Sequence, residues 1–112
     1  MKIIRESLAL NELKEMADKF GNMVKAVVDI DRELVAVDAE LHSDLEALLL
    51  DKGSKQKNLW GINLYPELVD SEFIEFDSMI NMRPSQGNIS RGVDDKATAQ
   101  KITTIITKRI KQ

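Results

Sequence analysis

The residues of this chain that can do chemistry are a pair of carboxylates, several amides interleaved with them and one imidazole. Glu75 and Asp77 stand two apart, the spacing that puts both on one side of a strand. Two close carboxylates can part their pKa values or share a cation. If residues 60–65 and 74–83 are written as paired strands, Asn63, Tyr65, Asn81 and Arg83 join them on that side. The opposite side then carries Trp60, Ile62, Leu64, Ile74, Phe76, Ile80 and Met82, and Trp60 is expected to be buried there. A solvated outer sheet face is the ordinary explanation of such a pattern. Asn and Asp are poor strand formers, however, so this composition points to a specific role for the face. A cross-strand ion pair from Lys25 or Arg83 to the carboxylates is the structural alternative.

A second constellation surrounds the only histidine. In extended geometry Asp38, Glu40, His42 and Asp44 share a side, which suits acid–base work or a Mg²⁺-type site. Against this, Asp44 and Glu46 fit the first turn of a helix through its dipole. No cysteine and no second histidine support a metal, so neither a metal nor a cofactor is expected. The third is the loop 83–92, with Arg83, Asn88 and Arg91 set among two glycines before a helix start. Such loops can cradle phosphate or carboxylate, although this one lacks the Gly-Lys signature of a nucleotide-binding loop. The structural alternative is a loop pinned by Asn88 and Ser90.

The elements that must position these residues follow from periodicity. Residues 2–5 are a short strand or an extended lead-in. Leu13, Met16, Ala17 and Phe20 repeat at helical spacing behind Asn11 as N-cap, and Gly21 ends that helix. Residues 24–38 read as a hairpin, turning at Asp31-Arg32 without the glycine that a tight turn prefers. The return strand, Leu34 to Val37 in unbroken apolar run, reads as an interior strand covered on both sides over part of its length. Ser43 and Glu46 form a capping box for a second helix closed by Gly53. Pro66 ends the first strand of the polar stretch. Asp94 caps a last amphipathic helix whose Thr and Ile content makes it depend on packing.

The expected fold is therefore α+β: a four-stranded, mainly antiparallel sheet with helices packed on one face, in one domain spanning residues 1–112. Composition is ordinary for a globular protein, with 43% hydrophobic and 31% charged residues. A net charge of −3 argues against general nucleic-acid binding. The first residues form neither a signal peptide nor a membrane span, so a cytoplasmic location is expected.

The segments ELHSDLEALLL, LWGINLYP and FDSMINMRPSQGN resemble those of a family of small prokaryotic proteins with a domain of unknown function. The similarity covers nearly the whole chain and implies a freestanding microbial protein; it carries no activity, substrate or site. From the residues themselves, two classes of function stand. One is binding of a polar or anionic small molecule, or a partner chain, through the strand face 63–83 and the loop 83–91. Asn63, Tyr65, Asp77, Asn81, Arg83, Asn88 and Arg91 would hold it, and a homodimer is compatible with this reading. The other is a small hydrolase or acid–base enzyme using His42 with Asp77 or Glu75. Binding leads, because no nucleophile–base pair can be read.

Overall fold

The computed structural model describes residues 1–112. Its strands are β1 (Lys2–Ile4), β2 (Leu8–Ala9), β3 (Val24–Asp29), β4 (Leu34–Val37), β5 (Leu59–Leu64), β6 (Ile74–Glu75) and β7 (Ile110–Lys111). Its α-helices are α1 (Leu10–Asp18), α2 (His42–Asp51) and α3 (Lys96–Arg109). Five strands form one antiparallel sheet in the order β1-β4-β3-β5-β6, and β2 pairs with β7 in a separate parallel pair. The sheet thus has five strands where four are expected, because residues 2–4 pair along the outer edge of β4.

Alternation on the strands separates two cores. Ala26, Val28, Val35, Val37, Trp60, Ile62 and Leu64 share one cluster with Leu13 and Met16 of α1 and Ile102 and Ile106 of α3. Val27, Leu34, Ala36 and Leu59 form the other with Leu45 and Leu49 of α2. The helices therefore lie on both faces, α1 and α3 on one and α2 on the other, not on a single face. The apolar run of β4 reflects this: an interior strand between β1 and β3 buries all four of its residues.

Local chemistry explains the element ends. The β3–β4 turn dispenses with glycine because the Asp29 carboxylate accepts from the N–H groups of Asp31 and Arg32, at 2.9 and 3.0 Å. The Ser43 capping box does not form. Helix α2 starts two residues earlier than that box implies, at His42, with no side-chain cap. Asp95, not Asp94, caps α3 by accepting from Thr98 N–H, while Asp94 accepts from Ile89 N–H at 2.8 Å. Along α3 the hydroxyls of Thr103, Thr104 and Thr107 donate to carbonyls one turn back, which keeps this weakly helical sequence polar on its outer side.

The largest departure from the expected pattern is the second strand of the polar stretch. It runs only from Ile74 to Glu75 and gives way to a short 3₁₀ turn over Met79–Asn81. In the β5–β6 register Asn63 faces Glu75, so a longer strand would set residue 77 opposite Gly61. That place is taken by a side chain. Asn81 Oδ1 accepts from Gly61 N–H at 2.8 Å, and Asn81 Nδ2 donates to the Gly61 carbonyl at 2.9 Å. Gly61 admits this return of the chain, since a Cβ there would lie 2.6 Å from Ser78 Cβ and 3.1 Å from Ile80 Cγ1. Alternation consequently breaks after Phe76: Phe76 packs with the Trp60 cluster, Ile80 packs with the opposite cluster, and Met82 is exposed.

Candidate functional site

Strand register brings Lys25, Asn63 and Glu75 side by side across β3, β5 and β6. All three fall on the α2 face, opposite Trp60 and Ile62. Asn63 is 4% exposed. Its Nδ2 donates to Glu75 Oε1 at 2.8 Å and to the Asp77 carbonyl at 3.3 Å, and its Oδ1 is buried with no donor in the chain. Tyr65, just past the end of β5, donates its hydroxyl to the same Glu75 oxygen at 2.9 Å. Burial, the bond to Glu75 and the nearby carboxylate charges push the Tyr65 pKa up, so the phenol remains a donor.

His42 enters from the first turn of α2. Its Nε2 stands 2.7 Å from the Ile62 carbonyl, which can only accept, so Nε2 carries the proton and Nδ1 holds the lone pair of the neutral ring. Burial pushes the His42 pKa below its usual value; the bond to Ile62 opposes this, and the charges of Lys25, Asp77 and Arg91 also reach the ring. Asp77 itself binds Arg91, with Nε donating to Oδ1 at 2.6 Å across a half-exposed pair. Lys25 lines an adjoining hollow of about 260 Å³ with Lys19, Phe20 and Glu40, and so connects the polar row to a concave surface.

His42, Asn63, Tyr65, Glu75, Asp77 and Arg91 are thus brought to one neighbourhood. Asn81 adjoins it through the Arg91 carbonyl but, like Arg83 and Asn88, presents no free side chain there. They are 0, 9 and 3% exposed and serve the main chain. Arg83 donates to the carbonyls of Gln56 and Leu59, both at 2.6 Å, and lies 4.1 Å over the Trp60 ring. Asn88 Nδ2 donates to the carbonyls of Asn81 and Gly92, at 2.7 and 2.8 Å, and its Oδ1 accepts from Asp94 N–H at 2.8 Å. Neither Lys25 nor Arg83 forms the expected ion pair with Glu75 or Asp77; Arg91 takes that part. Arg91 lies in the loop, as expected, and the bond from Ser78 N–H to its carbonyl draws it beside Asp77, a contact that nothing local in the sequence signals.

The group around Asp38, Glu40 and Asp44 is not assembled. Asp38 pairs with Lys19, at 3.2 Å, while Glu40 and Asp44 are exposed. No three His, Asp or Glu residues stand where they could hold one metal ion. No helix is long and apolar enough to cross a membrane.

Fold and site together define an α+β domain with a five-stranded antiparallel sheet between helices and a polar cluster at one end of its α2 face. The chain belongs to the family described as protein of unknown function (DUF5674), whose model matches residues 2–109. No curated protein and no solved structure matches it.

Proposed function

We propose that this chain is a binding protein for a polar small molecule, taken on the α2 face of the sheet by Asn63, Tyr65, Glu75, His42 and Asp77. The observation that carries the reading is the buried Oδ1 of Asn63, an acceptor with no donor in the chain beside a network that engages both of that amide's N–H groups. Buried polar atoms are seldom left unpaired; this one has almost no accessible surface, so a ligand N–H or O–H would complete it once the side chains over it move aside. Binding comes before catalysis because His42 makes its one hydrogen bond to a main-chain carbonyl and meets no nucleophilic side chain.

The test is a thermal-shift screen with a library of polar metabolites, since a ligand selective for the native state raises its stability. A genuine ligand raises Tm in the parent chain and loses that effect in Glu75→Ala, whose exposed position keeps the fold intact. Hits that persist undiminished in Glu75→Ala and Asn63→Ser would remove the site.

A second reading, an acid–base enzyme, has one observation in its favour. The imidazole lies against β5 with Nδ1 as its basic atom, and the charge of Asp77 reaches it, which singles out Asp77 over Glu75 as partner. Hydrolysis of a generic substrate that is abolished in His42→Gln with the fold retained would favour it; activity equal in both chains would end it.

A further inference from the structure

The outer edge of the sheet is open at β6. Tyr65 N–H bonds the Phe73 carbonyl at 2.9 Å, and Asn63 is the register partner of Glu75. Bonded and non-bonded pairs alternate along an antiparallel ladder, so Ile74, opposite Leu64, falls on a non-bonded pair. Its N–H and C=O point away from β5, where no further strand pairs and neither group meets a partner in the chain. An unpaired edge of this kind is a template for another extended chain.

Beside that edge, on the α3 face, lies a hollow of about 390 Å³ walled by Leu68, Val69, Phe73, Ile74, Ile106 and Ile110. Leu68 and Val69 are 42 and 70% exposed, apolar side chains left in water at its lip. The charge here has one sign. Asp70 is the single charged side chain of the lining, and neither it nor Glu72 in the same exposed turn takes part in an ion pair. No lysine or arginine stands between Lys57 and Arg83, a stretch that holds five acids. Across the hollow α3 presents Thr103 and Thr107, Lys108 is paired with Glu33, and Lys111 alternates to the other side of its strand from Ile110.

We infer that this edge takes an extended, basic segment of a partner protein, added to the sheet as a further strand beside β6. The free N–H and C=O of Ile74 match one residue of such a segment, which returns both bonds. Paired residues put their side chains on one face, so the residue opposite Ile74 directs its side chain toward the hollow, and apolar walls select an aliphatic one. Lysine or arginine beside it meets the unpaired acids of the turn. A second copy of this chain fits less well, since it would set the same acids against each other. The polar row lies on the opposite face of the sheet, so the two readings stand or fall separately.

The test titrates the ¹⁵N-labelled chain with short peptides blocked at both ends. The first carries a valine between two pairs of lysines, and the second has glutamates in place of the lysines. Two more are N-methylated forms of the first. A methyl on the valine nitrogen removes the N–H that would reach the Ile74 carbonyl; one on the preceding lysine removes an N–H that points to solvent. The Ile74 amide and those of residues 68–73 should move saturably with the lysine peptide and its lysine-methylated form, and not with the glutamate peptide. The valine-methylated form should bind about tenfold more weakly. Asp70→Asn, at a φ of +54° that asparagine also accepts, should keep the fold and weaken binding about two- to fivefold. No saturable movement at millimolar peptide, equal binding of the glutamate or valine-methylated peptide, or unchanged affinity in Asp70→Asn would each overturn the inference. So would an Ile74 amide that shifts with protein concentration alone, which would name a second copy as the occupant.

Discussion

Asn81→Ala is expected to be among the most damaging single changes in this chain, although asparagine on a polar stretch would ordinarily be read as surface. Its carboxamide closes three hydrogen bonds: from Gly61 N–H, to the Gly61 carbonyl and to the Arg91 carbonyl, all between 2.8 and 2.9 Å. Arg91's carbonyl still accepts from Ser78 N–H after the change, so it is not orphaned. Both polar groups of Gly61 are, inside a strand that is buried along its whole length. At about 1–3 kcal/mol for each buried group left unpaired, the loss is about 2–6 kcal/mol. That is a large part of the roughly 5–15 kcal/mol that holds a domain of this kind together. Urea unfolding followed by circular dichroism measures it directly. Asn81→Asp sharpens the test, because the carboxylate still accepts from Gly61 N–H but turns lone pairs toward two carbonyls. It should be at least as destabilising near neutral pH, and it should recover part of the loss on acidification, when a protonated carboxyl can donate again. A loss below about 0.5 kcal/mol in Asn81→Ala, the range of an exposed position, would refute the claim that this amide replaces a strand.

Gly61→Ala probes the same junction from the other side. The added methyl would stand 2.6 Å from Ser78 Cβ, so a loss of about 1–3 kcal/mol is expected in the same unfolding assay, and a neutral result would mean that the 78–80 segment can move away. His42 makes stability depend on pH. Burial sets its folded-state pKa below the ordinary 6.5, so the unfolded chain takes up a proton first as pH falls. The contribution of this residue is whole above pH 6.5 and is lost progressively below it. His42→Gln should remove that part of the slope, and the sole imidazole should titrate below 6.5 by NMR; a midpoint at or above that value would contradict its burial against Ile62.

How much of this was legible in the sequence depends on whether a residue is fixed by its own segment or by a distant one. The hairpin of β3 and β4, the three helices and the end of β5 before Pro66 all follow from local periodicity and breakers. The helix starts do not: α1 begins ahead of Asn11, α2 ahead of Ser43, and Asp95 caps α3 in place of Asp94. Residues 2–4 stay open in the sequence between strand and lead-in, and so outside the four-strand count, because so short a segment signals a strand only by pairing with Val35–Val37. The second layer of helix was written in β4, whose unbroken apolar run already required cover on both faces. The polar face was read with the right composition and the wrong continuation. Asn63, Tyr65, Glu75 and Asp77 do come together, but period-two counting carried the pattern through to Asn81 and Arg83, where no strand exists. A strand and a side chain that imitates one demand the same donors and acceptors of their neighbour, and sequence periodicity does not tell them apart.

The asparagines of this stretch nonetheless differ in a way that bears on function. Asn81 and Asn88 satisfy both ends of their amides against main-chain groups brought together by the fold. An amide so used is accounted for by stability alone, since replacing it leaves backbone groups unpaired. Asn63 has the same residue type and nearly the same burial, yet only its N–H groups are engaged, and its oxygen faces no donor in the chain. Stability would be served as well by an apolar side chain there, given how Val27 and Leu59 fill the same face. An amide held in place by Glu75 with its acceptor uncommitted is thus not accounted for by stability alone, and this is what the proposed binding role sets out to explain.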